Sequence, residues 1–396
     1  MMDSKKSLLG SIEDRLVRIP ELVRKDLGIT TGIFLCFRGI KGDDVYLQVA
    51  PAYYDDAVRL RDNDKVIYVN TDTLRMLDVK KIDAIKPFND ILIGCDPEFF
   101  LTEKGVGRNI SASNFFSHYG EVGSDGGLVE IRPRPDFKPK GVVSNIYELF
   151  NQVYHRIQTR GILKRLEIEM VAASNHRDAS AGFHIHFGLP ETLLRRKLQT
   201  AWIMSNMVNI LDFYVGIPAI LPEGNEDCKR RSERFSRYGK PGDHRVDSLT
   251  LEYRVPGGHL LRHPVLTWGI LAIGTTVMKD LLSRLNTYTE DFKRKVYFDK
   301  YEDLKTLYPH LPSKESVYNA VTSENTVLAL GYIDTILADL SLMIGFEENA
   351  TAIMDYFNYV VDFYKGIRRF NERIEANWRL GNERQQGSMA VLQASV

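Results

Sequence analysis

Four segments of the sequence with strand character each carry two polar side chains at positions i and i+2, between apolar or aromatic neighbours. Side chains two apart on a strand lie on the same face, roughly 6.5–7 Å apart. Each segment would therefore send its apolar residues to one face and its polar pair to the other. This pattern predicts a sheet whose apolar face packs under helices. The pairs are Asp96 and Glu98, Glu130 and Arg132, His184 and His186, and Glu252 and Arg254.

If the four strands share a sheet, their polar groups converge on one wall. Carboxylates gathered so closely repel one another and take up protons unless cations lie among them. Mg²⁺ or Mn²⁺ suits a carboxylate-rich site with an imidazole, and arginines suit phosphate oxygens. Together these groups indicate a site for nucleotide phosphates and phosphoryl transfer.

Each motif also has a structural interpretation. A single His-x-His on a strand is more often two half-exposed histidines than a metal site. A single Glu-x-Arg is usually a solvated strand face with a weak ion pair, and Asp-Pro-Glu can be a turn. Four such pairs on four apolar strands of one chain favour a functional site.

The composition argues against several classes of partner. Lys and Arg (52) balance Asp and Glu (52), so no net field attracts the chain to nucleic acid or to a membrane surface. Its cysteines, Cys36, Cys95 and Cys228, form no CxxC pair, which fits a reducing cytoplasm. Without an apolar segment typical of a signal peptide, we expect a soluble protein. The apolar stretches Val265–Met278 and Val327–Phe346 are predicted to be buried helices.

The chain is predicted to contain a small β-rich N-terminal domain (1–90), a catalytic domain (91–380) that is helical from about 264, and a flexible tail (381–396). The N-terminal domain carries no catalytic constellation, which favours docking or recognition. Strands are predicted at Gly32–Phe37, Val45–Val49, Val66–Val69, Ile91–Leu101, Gly127–Pro133, Ala181–Leu189 and Leu249–Pro256. Helices are predicted around Ile12–Leu27, Lys140–Arg160, Glu191–Val215, Pro264–Arg284, Ser316–Phe346 and Asn349–Trp378.

The amino-acid sequences of these motifs resemble those of a known superfamily. DPEFFL resembles the EPEFFLF strand of glutamine synthetases, SAGFHIHFG their GSGMHVH strand, and LEYRVPG their last Glu-x-Arg strand. With RYGKPGDHR (Arg237–Arg245), the series resembles the phage-type COOH–NH2 ligases, which are amidoligases of the glutamine synthetase and glutamate–cysteine ligase superfamily. The resemblance covers about residues 90–270. It implies an α+β, glutamine synthetase-like catalytic domain, with a curved antiparallel sheet backed by helices.

The resemblance also implies roles for single residues. Glu98 and Glu130 would hold one metal ion. A second ion, bridging the β- and γ-phosphates of ATP, would be held by Asp96, His184 and Glu252. Arg254 would contact the transferred phosphoryl group, and His186 would line the nucleotide side. Phosphate or the substrate carboxylate would meet Arg237 and Arg245, with Arg231 as a companion.

The sequence departs from glutamine synthetases at several positions. Position 96 is Asp where they carry Glu, which shortens its reach. Their third acidic ligand of the first metal has no clean match; Asp136 is the nearest candidate, with Lys138 close by. Their acidic flap, which shapes an ammonia site, is not found. An amino acid, a peptide or another primary amine is therefore favoured over ammonia.

The function implied is an ATP-dependent carboxylate–amine ligase that forms an amide through an acyl phosphate, with Mg²⁺ or Mn²⁺, in the host cytoplasm if phage-encoded. One alternative is a small-molecule, guanidino-type kinase on the same fold. Another is a non-catalytic nucleotide-binding or structural phage protein. A metallohydrolase using His184 and His186 is less well supported, because acidic groups outnumber imidazoles.

Three further features are interpreted without a catalytic role or are left open. His259 and His263 are predicted to build the turn after the last site strand, and Cys95 is predicted to be buried and inert. The basic run KRRSER (229–234) fits a phosphate clamp and a solvated surface equally well.

Overall fold

The computed structural model describes five strands between 16 and 88, and residues 91–159, 166–189, 197–232, 238–246, 250–290, 301–368 and 371–381. The chain divides into two compact units. One comprises Met1–Asp90 with Leu189–Thr200, and the other Ile91–Gly188 with Ala201–Val396. The predicted tail lies, beyond Gly381, outside the described residues.

The described part of the first unit is a five-stranded sheet with the order β4-β1-β3-β2-β5. The prediction of a helix around Ile12–Leu27 is wrong at Leu16–Ile19, which pairs in parallel with Gln48–Pro51 of β3. Strand pairing satisfies the backbone groups that a helix would have satisfied locally. The strands are β1 (Leu16–Ile19), β2 (Phe34–Arg38), β3 (Asp44–Pro51), β4 (Tyr68–Val69) and β5 (Lys86–Phe88).

The second unit contains an eight-stranded antiparallel sheet with the order β14-β15-β13-β6-β9-β8, and β7 and β10 also pair with β6. All four predicted site strands belong to it. Its strands are β6 (Ile93–Glu103), β7 (Asn109–Ile110), β8 (Val122–Asp125), β9 (Leu128–Ile131), β10 (Ile168–Val171), β13 (Phe183–Gly188), β14 (His244–Val246) and β15 (Thr250–Tyr253). The hairpin β11 (Asn175–His176) and β12 (Ala179–Ser180) precedes β13.

Helices cover the apolar face of this sheet. The rings of Phe99 on β6 and Phe150 on α1 (Pro139–Thr159) lie 5.4 Å apart, edge to face. Helix α2 (Lys197–Leu211) continues through a π-helical turn (Asp212–Gly216) into α3 (Ile217–Ile220). On α4 (Pro264–Glu290), Gly274 leaves room for the ring of Phe187 from β13.

Helix α4 is the core helix of the second unit. Its part Pro264–Arg284 is long and apolar enough to cross a membrane by composition, but 89% of the most apolar window is buried inside the protein. It is the one such helix among the described residues. The prediction of a buried helix at Val265–Met278 is therefore confirmed.

The C-terminal part is helical but more broken than predicted. The segments Ser316–Phe346 and Asn349–Trp378 do not form two long helices. Extended backbone at Ser323 and Met343, and left-handed backbone at Gly366 (φ +70°), follow the ends of successive helices, and left-handed Gly345 (φ +87°) precedes the helix that starts at Phe346. The helices are α5 (Tyr301–Leu307), α6 (Lys314–Thr322), α7 (Val327–Leu330), α8 (Ile333–Leu342), α9 (Phe346–Tyr364) and α10 (Ile374–Asn377).

Candidate active site

Strand register brings the predicted polar residues to one face of the sheet. In an antiparallel pair, residues directly opposite each other project to the same side. The expectation that the polar groups of these strands share a wall is confirmed by the pairing. The opposed pairs are Asp96 and His184, His186 and Glu252, Glu98 and Glu130, and Arg245 and Glu252.

Acids and imidazoles meet in the middle of this face. His184 Nδ1 lies 3.2 Å from Asp96 Oδ1 and 3.5 Å from Glu252 Oε1, and His186 Nε2 lies 3.2 Å from Asp96 Oδ1. Burial alone would raise the pKa of Asp96, but hydrogen bonds and charge interactions with the two imidazoles lower it to about 2.

One group of side chains on this face has the spacing of a metal site. Single ligand atoms from Asp96, His186 and Glu252 lie within 4.8 Å of one another. It is the one such group of three or more found among the described residues. The resemblance to the ligase family implies His184, and not His186, as the ligand beside the two acids. The structure brings both imidazoles to Asp96.

Arg254 is held against the metal-spaced group. Its Nε lies 3.1 Å from Glu252 Oε1 and its Nη1 lies 3.8 Å from Asp243 Oδ1. It also donates a hydrogen bond to the hydroxyl of Tyr238, and its guanidinium carbon lies 4.7 Å from the centre of that ring. With a side chain only 12% exposed, Arg254 has a fixed orientation on the site face.

Tyr238 and Arg230 are site residues that sequence reasoning missed. The guanidinium of Arg230 lies 5.0 Å from the centre of the Tyr238 ring, and the Tyr238 hydroxyl lies 3.4 Å from His184 Nε2. Arg230 is buried and donates to the carbonyl oxygens of Val255 (2.7 Å) and Arg254 (2.9 Å). The run KRRSER was a signal for Arg230, but its sequence alone does not say which member faces the site.

Glu98 and Glu130 lie on the same face beyond Asp96. Glu98 Oε2 accepts a hydrogen bond from the Gly182 N–H (2.6 Å), and burial raises the pKa of Glu98 although His184 and Arg230 oppose the rise. Glu130 forms an ion pair with Arg132, two residues along the chain. Glu98 and Glu130 therefore make their direct contacts with Gly182 and Arg132, while His184 interacts with Glu98 through charge.

The structure gives Asp136 a local role. Its Oδ1 accepts the Lys138 N–H at 2.8 Å, just before α1 begins at Pro139. Its backbone exchanges two hydrogen bonds with Ile93. The residue offered by the sequence as a third acidic ligand is thus engaged in joining β6 to the start of the helix.

The remaining predicted arginines differ in position. Arg245 is at the rim, 66% exposed, with Nη1 3.9 Å from Glu252 Oε2. Arg231 is 1% exposed, and it donates to Glu223 (2.7 Å) and to the carbonyl oxygens of Val321 and Ser323. Its prediction as a nucleotide ligand is corrected, because these partners hold it in the interior. Arg237 lies outside the described residues.

Cys95 is buried, as predicted, and His259 is buried within the 3₁₀ turn Gly258–Arg262 that follows the last site strand. His259 Nδ1 lies 2.6 Å from Ser174 Oγ and its Nε2 lies 2.8 Å from the Ala219 carbonyl oxygen, and burial lowers its pKa to about 3. Burial also raises the pKa of the Cys95 thiol. Both residues serve packing behind the site and not its chemistry.

The sequence is that of a family of carboxylate–amine ligases. The chain belongs to the family described as Phage phiEco32-like COOH.NH2 ligase-type 2, whose model matches residues 93–329. The matched segment includes every site strand from β6 to β15. No curated protein matches the sequence significantly.

Two solved structures are similar to the chain. One is a bifunctional glutathione synthetase from Pasteurella multocida, at 12% identity and a TM-score of 0.39, covering 78% of this chain and 51% of that one. The chain thus spans about half the length of that protein. The other is a novel glutamine synthase homolog, at 10% identity and a TM-score of 0.32, covering 72% of this chain and 69% of that one.

Proposed function

We propose that the protein uses ATP and a divalent metal ion to join a carboxylate to a primary amine. The observation that carries this proposal is the group formed by Asp96, His186 and Glu252, with ligand atoms within 4.8 Å and Arg254 beside it. Acids, imidazole and arginine in one basin match the charge of nucleotide phosphates and their counter-ion.

The residues present fit one ion. Two carboxylates and an imidazole at this spacing are a donor set suited to Mg²⁺ or Mn²⁺. Asp96, His186 and Glu252 would hold it, with His184 in contact with both acids. When bound, the ion would neutralise the β- and γ-phosphate oxygens of ATP.

The arginines would act on the phosphate groups. Arg254 is fixed by Glu252, Asp243 and Tyr238, so its guanidinium would meet the transferring phosphoryl group without reorganising. Arg245, exposed at the rim, would reach the outer phosphate oxygens or the substrate carboxylate. We propose the same role for Arg237.

The reaction would proceed in two steps. A substrate carboxylate oxygen bonds to the γ-phosphorus as the bond to the β-phosphate oxygen breaks, giving an acyl phosphate and ADP. The amine nitrogen then bonds to the acyl carbon, the bond from carbon to the phosphate oxygen breaks, and the amine loses a proton. In this scheme the chain contributes position and charge, because aligned reactants need little further reorganisation.

The test is a turnover assay on the full chain. The protein would be incubated with Mg·ATP and a panel of amino acids, peptides and amines, scoring ADP and the mass of any product. We expect sustained ADP release over many turnovers only when a carboxylate and an amine are both present, with a product equal to their sum less one water. A stable phosphorylated product that accumulates over many turnovers without an amine would contradict the ligase and identify a kinase.

Nucleotide binding provides a second test, which holds even if the panel lacks the true substrate. Isothermal titration calorimetry should detect a nonhydrolysable ATP analogue only in the presence of Mg²⁺, and Glu252→Gln should weaken that binding. Absence of binding by a folded wild-type chain would contradict the proposal.

A further inference from the structure

The carboxylates on the site face fall into two sets with different counter-cations. Asp96 contacts the imidazoles of His184 and His186, and Glu252 contacts that of His184 as well as the guanidinium of Arg254. Glu130 contacts the guanidinium of Arg132, and Glu98, opposite it in the register, accepts a backbone N–H. A histidine nitrogen can give up its proton and bind a metal, whereas a guanidinium stays charged and cannot.

Arg132 is built into its place beside Glu130. Its Nη2 pairs with Glu130 and its Nη1 donates to the Gly120 carbonyl oxygen at 2.9 Å. Gly123, opposite Glu130 on β8, makes room for it: a Cβ at that position would lie 2.6 Å from Arg132 Nη1. These two contacts, together with the absence of a side chain at Gly123, hold the guanidinium of Arg132 beside Glu130.

The surroundings of Glu98 and Glu130 suit an ion less well than those of Asp96, because a guanidinium lies beside Glu130. No group of three metal-capable residues includes either acid within the part of the chain that the structure describes. Asp136, the third acid suggested by the sequence, accepts the Lys138 N–H with its Oδ1 at the start of α1. An ion at this position would also have to displace or face the positive charge of Arg132.

We infer that the basin binds a single divalent ion, at Asp96, His186 and Glu252, and that the guanidinium of Arg132 takes the place of a second ion beside Glu98 and Glu130. This inference rests on the proposed function, which supplies the identity of the bound ion. Arg132 is a positioning residue: it neutralises Glu130 permanently, so this half of the basin needs no metal from solution.

The test counts bound ions in the absence of substrates. The metal-free full chain would be titrated with Mn²⁺, and the electron paramagnetic resonance signal of the free ion would give the number bound. We expect about one ion per chain, lost in Glu252→Gln and retained in Glu130→Gln. Two ions in the wild type, one of them lost in Glu130→Gln, would overturn the inference.

Arg132→Met tests the arginine itself, and Arg134→Met is the matched control. Arg134 lies two residues further along, is 71% exposed and pairs with Glu148. Removing Arg132 leaves Glu130, which lies opposite Glu98 in the register, without its fixed cation, so a second, weaker Mn²⁺ site should appear. Arg134→Met should bind as the wild type does. An unchanged count in a folded Arg132→Met chain would overturn the role of Arg132.

The outcomes separate this inference from the proposed function. Two ions with normal ligation would end the inference and leave the ligase assignment in place. One ion, bound as expected, without nucleotide binding or turnover would end the ligase assignment and leave the ion count in place. Absence of Mn²⁺ binding would overturn the inference by itself.

Discussion

Both halves of the site face contain a Glu-x-Arg pair, Glu252 with Arg254 and Glu130 with Arg132, but they differ in what else lies beside the acids. On the side of β13 and β15, the imidazoles of His184 and His186 contact Asp96, and His184 also contacts Glu252; an imidazole can exchange a proton for a metal. On the side of β9, Glu130 meets a guanidinium that cannot. A spacing motif thus indicates which face a side chain occupies, but its counter-ion depends on which strand lies beside it.

The largest loss of activity is expected for Glu252→Gln. Because Glu252 contacts His184, Arg245 and Arg254, we expect the amide to reduce kcat by roughly 10³-fold, the scale of losing a preorganised charge contact. Glu103→Gln, on the same sheet but paired with Arg108, is the matched control and should leave kcat unchanged. Near-normal turnover of Glu252→Gln with an unchanged unfolding midpoint would contradict the assignment.

Glu130→Gln should be much milder than Glu252→Gln, because the amide oxygen can still accept a hydrogen bond from Arg132. The measurement is kcat/KM for both variants side by side. Equal losses in the two would remove the distinction between the halves of the site.

Replacing Tyr238 tests whether this residue holds the Arg254 guanidinium in position. Tyr238→Ala removes both guanidinium–ring contacts and the hydroxyl partner of Arg254, so we expect kcat to fall about 10- to 100-fold. Tyr238→Phe keeps the ring contacts and should lose less. If the two variants lose equal activity, the ring contacts contribute nothing and the hydroxyl alone matters.

Asp96 and Glu98, two residues apart, should give the metal-free protein opposite pH dependences. The pKa of Asp96 falls on folding to about 2, so its contribution, on the order of 2 kcal/mol, is present above its unfolded pKa and is lost as the pH falls towards 2. Burial raises the pKa of Glu98, so stability should fall as the pH rises from its unfolded pKa through the folded one.

Urea unfolding between pH 3 and pH 7 in the presence of a chelator would measure both effects. Asp96→Asn should lose the stability that the wild type gains as the pH rises from acid values. Glu98→Gln should lack the decrease in the free energy of unfolding that the wild type shows as the Glu98 carboxyl ionises at higher pH. The same pH slope in both variants would contradict the difference in their environments.

Arg245→Ala should have the smallest effect. The side chain is 66% exposed and its nitrogen lies 3.9 Å from Glu252, so solvent and salt screen the pair. We expect only a several-fold rise in the KM for ATP, greater at low ionic strength, with kcat nearly unchanged. A loss of kcat equal to that of Glu252→Gln would place Arg245 among the essential residues.

The sheet and the content of its polar face could be predicted from sequence, because a period of two dictates the face of every residue on a strand. Phe183, Ile185 and Phe187 are buried, and His184 and His186 alternate with them on the site side. Their meeting with Asp96 then follows from pairing β13 with β6.

Contacts made by side chains from loops and from distant helices could not be predicted in this way. Arg230 and Arg231 are adjacent in sequence, yet one contacts Tyr238 and the other Glu223. Nothing in KRRSER distinguishes them, because the packing of the 3₁₀ turn Asp227–Arg230 against other elements decides their directions. The N-terminal strand Leu16–Ile19 was missed for the same reason: its partner lies some thirty residues further on, at Gln48–Pro51.

The decisive test of the single metal site is a crystal structure of the full chain with Mn²⁺ and a nonhydrolysable ATP analogue. Anomalous scattering should show the ion in contact with Asp96, His186 and Glu252, with the γ-phosphate beside Arg254 and no ion between Glu98 and Glu130. Nucleotide bound elsewhere on the molecule, with no ion at these three residues, would contradict it.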